Sequence, residues 1–384
     1  MRLLNARTVN IDISVGDEEL SDLQELSMQV VREAVVVPLT HLRHCTNDND
    51  GEFDGGVYNC QGRLVVRGIQ KKMRYVNRSP EVLELDGPIS EHSGTHLFGG
   101  MLQNNHFGHF LTESITRLWA AYALRESIDS IVFYLRTRES GISSPVRDFI
   151  AEMCPGINIT VCRTPTKFER LIVSDQCIDA RLLQACSHPM MIDALRNIRK
   201  YVKRPADDIY VSRAGLMGTE GGIIGEKIIE KNLSKEGYKI IRPETLSISA
   251  QADAYNSARR VIIAEGSALH FVALCADSRK SIFMIWRRGR NGVFVDQVKS
   301  FAGTNLIGAN HINSLWVPRS APEDLSVAQA ELNFEELSHE LISNGFISSA
   351  WKSPSQEEIN LQLSEFRARR GDDYIRFSGF KNVM

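Results

Sequence analysis

The feature that most constrains this sequence is a series of four short apolar segments in its second half, separated by helical patterns. The apolar segments are DIYVSR at 208–213, YKIIR at 238–242, RVIIAEG at 260–266 and SIFMIW at 281–286, and the helical patterns cover 223–236 and 248–257. Strands with nearly continuous apolar residues belong to parallel sheets that helices cover on both faces, whereas half-exposed strands alternate apolar and polar residues. The second half therefore predicts a doubly wound α/β domain.

The middle of the chain predicts a second α/β unit. Apolar residues at three- and four-residue intervals predict one amphipathic helix over 107–127. A strand at 130–136, a helix that begins at Ser144 and a strand at 158–163 follow it. Residues 1–90 contain short β segments and turns, which predict a β-rich cap.

The length of 384 residues predicts two domains, because a single core rarely grows beyond about 250–300 residues. We expect a Rossmann-like first domain with its cap over 1–204 and a Rossmann-like second domain over 205–325. The joint is expected where a basic helix end meets Pro205. The last segment, 326–384, is predicted to be helical and to pack back towards the first domain.

Charge and hydropathy exclude several classes of protein. Forty-five basic and 47 acidic residues give a net charge of −2, so no overall field favours nucleic acid as a partner. No stretch approaches the roughly 18 apolar residues that a transmembrane helix needs, although peripheral membrane association stays open. The N-terminal sequence lacks a secretory signal and the seven cysteines form no CxxC pair, so we expect a cytoplasmic location.

Histidines are concentrated in one segment. Four of the ten fall between 92 and 109: His92, His96, His106 and His109. Histidine changes charge near neutral pH, so this segment suits acid–base catalysis or ligand binding, with helix capping as the alternative. His109 and Glu113 are four residues apart on one helix face, so the carboxylate can orient the imidazole or remain a simple side-chain pair.

The same segment allows a metal site. His106, His109 and Glu113 lie at i, i+3 and i+7, a spacing that can present three ligands to one ion in a metal-dependent hydrolase. The segment lacks an HExxH arrangement and a second carboxylate group nearby. We expect no metal or other cofactor, and the hydrolase stays an alternative.

A second group of candidates lies in RRVIIAEGSALHFVALC, at 259–275, where a strand runs through a small-residue turn into a helix. Gly266 lets a ligand approach the backbone closely. The free N–H groups at the start of the helix, near Ser267 and Ala268, form an anion site suited to a diphosphate. The same succession also occurs as a plain connector.

Two charged residues complete this second group. Arg213 stands just past the carboxyl end of a predicted strand, the edge at which open α/β sheets bind ligands. A guanidinium there can form paired hydrogen bonds with phosphate oxygens. Glu226, at the start of the next helix, is a candidate for the same site, with a favourable charge near the helix N-terminus as the alternative.

Three segments in combination resemble a known family. They are HFGHFLTESITRLW, then IYVSRAGL followed by GEKIIEKNLSKEGYKIIRPETLSISAQ, then ARRVIIAEGSALHFVALC. In order and spacing, over about 100–285, they are similar to the glycosyltransferase 61 family, known also as capsular polysaccharide biosynthesis or DUF563 proteins. The resemblance implies a GT-B fold, with two Rossmann-like domains that face each other across a cleft, and inverting sugar transfer from a nucleotide donor.

The resemblance carries over residue by residue. The family's GHF segment falls on Gly108, His109 and Phe110, with Glu113 following, and the arginine of its SRR-like segment falls on Arg213. The chain departs from the family where it has Gly225-Glu226 in place of Asn-Glu. It also has Glu265-Gly266-Ser267 in place of a His-Gly-Ala turn, which leaves the anion site to backbone N–H groups.

We therefore predict an inverting glycosyltransferase of surface-polysaccharide synthesis that uses a nucleotide sugar and a glycan or lipid-linked acceptor. The catalytic candidates are His109 and Glu113, the donor-site candidates are Arg213, Glu226, Gly266, Ser267 and Ala268, and the acceptor-side candidates are His96, His106 and Gly108. His109 is the expected base, with Glu113 as the competing candidate. Besides the hydrolase, the alternative is a catalytically inactive sugar-binding member of the same fold.

Overall fold

The chain divides into two compact units, Met1–Ile198 and Arg199–Met384. The computed structural model describes residues 25–41, 51–72, 75–84, 89–124, 126–135, 141–216, 220–288 and 292–377. Residues 1–24 of the expected cap, 125 of the expected long helix and 378–384 of the C-terminal segment lie outside the described part.

The strands of the first unit form one mixed sheet. They are β1 (Met28–His41), β2 (Gly51–Tyr58), β3 (Tyr75–Asn77), β4 (Ser90–Met101), β5 (Ser130–Tyr134), β6 (Asn158–Cys162) and β7 (Thr166–Ser174). Their order is β3-β2-β1-β7-β4-β5-β6. The pairs β7-β4, β4-β5 and β5-β6 are parallel, whereas β1 is antiparallel to β2 and β7. The predicted strands at 130–136 and 158–163 are thus confirmed.

The N-terminal strands extend this sheet, so the expectation of a cap was wrong in its placement. One apolar cluster runs along the sheet from β1 to β6 and includes Val36, Phe53, Phe98, Val132 and Cys162. Since the first strands bury their apolar side chains against the same layer as the parallel strands, joining the sheet leaves less apolar surface exposed than a separate cap would.

The segment after β4 is not the single amphipathic helix that the apolar spacing predicted. It consists of α1 (Phe107–His109), a π-helical turn (Phe110–Ser114), a 3₁₀ turn (Ile115–Arg117) and α2 (Trp119–Leu124). All residues from 110 to 121 are buried, including Arg117, whose guanidinium donates to the carbonyl oxygens of Ser174, Arg67 and Ile69. The face that an amphipathic helix would expose to solvent is here buried, and its Arg117 side chain bonds to neighbouring segments of the first unit instead.

The remaining helices of the first unit are short. The predicted helix at Ser144 is confirmed as α3 (Ser144–Met153), which has Pro145 in its first turn. A further helix, α4 (Pro189–Ala194), packs against α2.

The second unit contains the parallel sheet that its apolar segments predicted. Its strands are β8 (Asp207–Val211), β10 (Lys239–Ile241), β11 (Ala258–Ala264), β12 (Ser281–Ile285) and β13 (Leu306–Ile307). The order β10-β8-β11-β12-β13 corresponds to 2-1-3-4-5 within this sheet. In such doubly wound sheets the strand order reverses between the first and third strands, here β8 and β11, and ligands bind outside the carboxyl ends at this switch point.

Three helices cover one face of the parallel sheet. They are α6 (Ile248–Ser257), α7 (Ala268–Cys275) and α8 (Gly292–Ala302), which contact one another in succession, whereas α5 (Glu226–Lys235) packs in the core on the other face. The helix predicted over 248–257 is confirmed as α6. The one predicted over 223–236 begins three residues late, at Glu226, because Gly225 takes a left-handed conformation with φ of 83°.

A second sheet covers the other face and was not predicted from the sequence. It has the order β16-β14-β15-β9 and comprises β9 (Gly222–Ile223), β14 (Ile312–Pro318), β15 (Gln329–Leu332) and β16 (Tyr374–Arg376). With α5 and α9 (Phe334–Ser343) it shares a core cluster that includes Tyr210, Ile262, Phe283, Val317 and Phe334. The parallel sheet is therefore covered on both faces, as its sequence requires.

The last helix packs against residues of the second unit, and its predicted packing towards the first unit stays a prediction. The helix α10 (Gln356–Arg370) buries Ile359 and Phe366 against Ala214, Ile224 and Tyr374. Its Gln362 accepts a hydrogen bond from the backbone N–H of Gly225, at 2.7 Å. Both contacts lie close to the turns that follow β8 and precede α5. Within the described ranges, no helix is both long and apolar enough to cross a membrane.

Candidate functional site

The catalytic candidates of the first unit form a direct hydrogen bond. The Nδ1 atom of His109 lies 2.6 Å from Oε1 of Glu113, across the π-helical turn. The side chain of His109 is 30% exposed, whereas that of Glu113 is only 5% exposed. A neutral imidazole that donates from Nδ1 keeps its lone pair on Nε2, so this contact leaves His109 able to accept a proton from a ligand.

The structure adds two residues to this pair that sequence reasoning did not find. The Oε2 atom of Glu113 accepts a hydrogen bond from Nε2 of Gln103 at 2.7 Å and forms an ion pair with Nζ of Lys72 at 2.8 Å. Gln103 and Lys72 are both buried. Lys72 follows the 3₁₀ turn at Val66–Gly68 and is far in sequence from the turn that carries Glu113. It joins this group because its buried ammonium pairs with the buried carboxylate of Glu113.

The groups around Glu113 keep its side chain ionised. Burial alone would raise the pKa of Glu113, but the hydrogen bond from His109 and the charge of Lys72 outweigh it and hold this pKa below its usual value of 4.5. A carboxylate with a low pKa is a weak base, so Glu113 is better suited to orienting His109 than to abstracting a proton.

His106 and Gly108 lie at the start of the same helix. The Nδ1 atom of His106 accepts a hydrogen bond from the backbone N–H of His109 at 3.2 Å, so His106 caps α1. Its ring is exposed, with its centroid 4.4 Å from that of His109. Gly108 is buried and its carbonyl accepts from Thr112. His106 therefore lies beside the base candidate while it also serves the capping role that the sequence allowed.

His96 does not join this group. It is buried on β4, with Nδ1 2.9 Å from Oγ of Ser130 and Nε2 2.9 Å from the carbonyl oxygen of Ser93. It lies five residues before Met101, the end of the strand that leads to His106, which is about 16 Å along an extended chain. Both ring nitrogens are occupied inside the fold, and the role of His96 in acceptor binding stays a prediction.

The metal hypothesis is not favoured by the donor atoms. No group of three or more His, Cys, Asp or Glu side chains in the described part of the chain is arranged to hold a metal ion. The Nδ1 atom of His106 accepts from a backbone N–H, and that of His109 faces Glu113, so the three side chains do not converge on one point.

In the second unit, Arg213 and Gly266 meet at the switch point of the parallel sheet. Arg213 follows β8, and Gly266 follows β11, its neighbour in the sheet. A Cβ atom on Gly266 would lie 2.4 Å from a terminal nitrogen of Arg213, so only glycine allows this approach. The Nε and Nη2 atoms of Arg213 donate to the carbonyl oxygen of Gly221 at 3.3 and 3.1 Å. Arg213 and Gly266 therefore lie together at the carboxyl edge of the parallel sheet.

Glu226 stabilises the turn after β8 through three hydrogen bonds. Its Oε1 accepts hydrogen bonds from the hydroxyls of Tyr210 and Ser212, at 2.9 and 3.1 Å, and from the backbone N–H of Arg213 at 2.6 Å. The side chain is fully buried, and this burial raises the pKa of Glu226. In this position Glu226 holds the backbone of Arg213, and its direct contact with a donor stays a prediction.

Ser267 and Ala268 are half-buried at the start of α7. Ser267 is the N-cap residue and its hydroxyl makes no capping hydrogen bond. The first N–H groups of a helix have no intrahelical partner and carry a partial positive charge, so this end of α7 can bind an anion next to Arg213.

Two further arginines reach the same edge from β12. Arg287 and Arg288 follow that strand after Trp286, and the backbone N–H of each donates to Oε2 of Glu265 at 2.8 Å. The Nε atom of Arg288 lies 2.6 Å from Oε1 of the same carboxylate. The sequence did carry a signal for them, because they end the predicted strand at 281–286 just as Arg213 ends its own.

The fold and the candidate site therefore define a class: a two-unit α/β protein with arginines at the switch point of a parallel sheet in one unit and a carboxylate-bound histidine in the other. The Glycosyltransferase 61 family model matches residues 107–282, which agrees with the resemblance seen in the sequence. No curated protein matches the chain. The matched segment contains His109, Glu113, Arg213 and Gly266, whereas Lys72 lies before it and Arg287 and Arg288 after it.

Proposed function

We propose that this glycosyltransferase moves a sugar from a nucleotide-sugar donor to a glycan or lipid-linked acceptor, with inversion at the anomeric carbon, in surface-polysaccharide synthesis. The observation that carries the proposal is the hydrogen bond between His109 and the ionised, buried Glu113, inside the segment that matches the family. The arrangement is that of a base whose tautomer and charge are controlled by a neighbouring carboxylate.

The acceptor step follows from this geometry. Nε2 of His109 takes the proton of an acceptor hydroxyl while the hydroxyl oxygen attacks the anomeric carbon, on the side opposite the leaving diphosphate. One C–O bond forms, the bond from the sugar to the diphosphate breaks, and the nucleoside diphosphate leaves with the electron pair. Glu113 stabilises the imidazolium that results, because its Oε1 lies 2.6 Å from Nδ1. Inversion follows from a single displacement.

The donor step uses positive charge on the second unit. The guanidinium of Arg213 and the N–H groups at the start of α7 offset the charge that develops on the leaving diphosphate. We expect these groups to suffice without a metal ion. Full loss of activity in a chelator, restored by Mn²⁺, would contradict this part of the proposal.

The proposal includes the GT-B arrangement, with an acceptor-binding N-terminal domain and a nucleotide-sugar-binding domain over 205–325. A cytoplasmic location, where nucleotide sugars are made, and a peripheral association with lipid-linked acceptors are parts of the same proposal.

The first test is a thermal-shift screen of the full chain against UDP, GDP, CDP and ADP. A ligand at one hundred times its Kd stabilises the folded state by about 2.7 kcal/mol, which is readily measured. Arg213→Ala should fold and lose about 1.5–3 kcal/mol of binding free energy for the nucleotide that stabilises the wild type, as expected for a charged hydrogen bond. Unchanged nucleotide affinity in that variant would remove Arg213 from the donor site.

A second test separates an enzyme from an inactive sugar-binding member of the fold. The wild type should slowly hydrolyse the matching nucleotide sugar when no acceptor is present, with water in place of the acceptor hydroxyl. Binding of the nucleotide sugar without hydrolysis or transfer would favour the inactive member.

A further inference from the structure

Three arginines converge on the carboxyl edge of the parallel sheet, and only Arg213 has a place in the function proposed above. Arg213 follows β8, whereas Arg287 and Arg288 follow β12, so the three guanidinium groups flank β11 from both sides. Gly221 connects them: its carbonyl accepts from Arg213, and a Cβ atom on it would lie 2.0 Å from a terminal nitrogen of Arg287.

The three positive charges lie close enough to affect one another. Burial, followed by the charges of Arg213 and Arg288, lowers the pKa of Arg287 to about 9. The carboxylates of Glu226, Glu220 and Glu265 attract Arg213, and of these the side chain of Glu220 is exposed to solvent. Placing like charges together costs free energy, and a bound anion would offset that cost.

Glu265 is the residue that holds two of these arginines in place. It is fully buried, and its carboxylate accepts from the backbone N–H groups of Arg287 and Arg288 and from Nε of Arg288. Both oxygens of the Glu265 carboxylate therefore accept hydrogen bonds from residues that follow β12. It fixes that chain beside Gly266, the next residue after Glu265 itself.

The two arginines differ in what they can reach. Arg287 is buried and donates to the carbonyl oxygens of Ser326 and Ala328, at 3.1 and 3.3 Å, which joins the end of β12 to the second sheet. The side chain of Arg288 is 27% exposed and is bound to Glu265 through Nε, and in the described part of the chain its two terminal nitrogens have no hydrogen-bond acceptor. Arg288 is therefore the member that can contact a ligand, and Arg287 supports the site.

We infer that Arg288, held by Glu265, binds the diphosphate of the donor together with Arg213, so that two arginines from opposite sides of β11 grip one pyrophosphoryl group. This inference rests on the proposed function and deepens it by assigning a ligand-binding role to Arg288 and a positioning role to Glu265. The ligand class is a nucleoside diphosphate, since a planar guanidinium can donate two parallel hydrogen bonds to phosphate oxygens.

The experiment measures binding to the full chain by calorimetry, with the nucleoside diphosphate that the wild type binds best and with the corresponding nucleoside. Arg288→Gln should weaken nucleoside diphosphate binding about tenfold to hundredfold, the range for a lost charged hydrogen bond, and should leave nucleoside binding unchanged. Arg288→Lys should recover part of the loss, because lysine keeps the charge but lacks the planar fork. Inorganic pyrophosphate should compete with the diphosphate in the wild type and more weakly in Arg288→Gln.

The matched control is Arg259→Gln. Arg259 lies at the opposite, amino end of β11, where it pairs with Asp208 on the surface, and its loss should leave nucleotide affinity unchanged. Glu265→Gln should weaken nucleotide binding through displacement of Arg288, and it should add little when combined with Arg288→Gln.

Nucleotide affinity equal to that of the wild type in a folded Arg288→Gln variant would overturn the inference and leave the proposed function intact. An equal loss of nucleoside binding would also overturn it, since it would indicate general damage to the site. A wild type that binds none of the four nucleoside diphosphates would instead defeat the proposed function itself, so the two failures are distinguishable.

Discussion

His109 and Glu113 are joined by a 2.6 Å hydrogen bond. The carboxylate of Glu113 in turn forms an ion pair with the buried ammonium group of Lys72, whose Nζ lies 2.8 Å away. The partly exposed imidazole of His109 is thus the outermost of three linked groups, followed by the buried carboxylate of Glu113 and the buried ammonium of Lys72. Because the carboxylate is ionised, it favours the tautomer of His109 with the proton on Nδ1.

The first prediction concerns His109 as the base. His109→Ala should lower turnover by about 10² to 10⁴, the usual contribution of general base catalysis, while donor affinity stays near that of the wild type. Steady-state transfer assays and nucleotide binding measured on the same preparation check this. His92→Ala is the matched control, since His92 is an exposed histidine on β4 and its loss should not affect turnover. Near-normal turnover in His109→Ala would transfer the role to His106 or Glu113.

The second prediction concerns Gly266. In Gly266→Ala the new methyl group would lie 2.4 Å from a terminal nitrogen of Arg213, so the guanidinium must move away from the turn. We expect nucleotide affinity to fall about tenfold or more, and the free energy of unfolding to fall by about 1–3 kcal/mol through overpacking. Calorimetric binding and urea unfolding measure the two effects.

The control for this variant is Gly141→Ala, because a Cβ atom on Gly141 would meet nothing within 4 Å. It should leave binding and stability close to the wild type. Wild-type nucleotide affinity in Gly266→Ala would mean that the approach of Arg213 to the turn does not matter for the donor.

The parallel sheet of the second unit was predictable because burial on both faces leaves a direct record in the sequence. Strands such as β11 and β12 carry apolar residues at nearly every position, and α6 carries Ser247 as its N-cap. The second sheet leaves no comparable record. Its strands β9 and β16 have two and three residues, too few to show an alternating pattern, and they are held by partners distant in sequence.

The site was predictable in part for a similar reason. Arg213 and Gly266 were found because the carboxyl ends of neighbouring parallel strands meet at one edge, which is a rule of topology. Lys72 was not found, since its pairing with Glu113 depends on how a loop packs against the π-helical turn. His96 lies inside β4, apart from His106 and His109, and its role in acceptor binding stays a prediction.

The third prediction concerns Cys177 and Cys186. Their sulfur atoms are 3.8 Å apart, and they oppose each other next to the antiparallel bridge between Ile178 and Ala185. Opposed residues have Cα atoms about 4.5–5.5 Å apart, within the range of disulfides. The hydrogen bond with Cys177 lowers the pKa of Cys186, which makes Cys186 the attacking thiolate.

Oxidised glutathione should therefore link these two cysteines. Cys186 forms a mixed disulfide and releases one glutathione thiolate, and Cys177 then displaces the second glutathione. Mass spectrometry of tryptic peptides should detect the cross-link in the wild type and a retained glutathione adduct in Cys177→Ser. Cys154 is the internal comparison, because burial raises the pKa of its thiol to about 12 and it should stay unmodified. Absence of the cross-link under conditions that modify Cys60, an exposed cysteine, would contradict the prediction.

The last prediction concerns the pH dependence of stability through Glu113. Burial alone would raise the pKa of Glu113, but its contacts with His109 and Lys72 hold it below the usual 4.5. A carboxyl group with a depressed folded pKa stabilises the fold above its unfolded pKa, and this stabilisation is lost as the pH falls through the folded value. Glu113→Gln should therefore cost about 3–5 kcal/mol near pH 7, where it leaves Lys72 buried without its carboxylate, and less at pH values below 4.5. Urea unfolding across this range measures the gap, with Glu126→Gln, an exposed carboxylate, as the control that should show none. Adding Lys72→Met to Glu113→Gln should restore part of the loss, and a gap that stays constant into acid would show that the charge of Glu113 is not what stabilises this site.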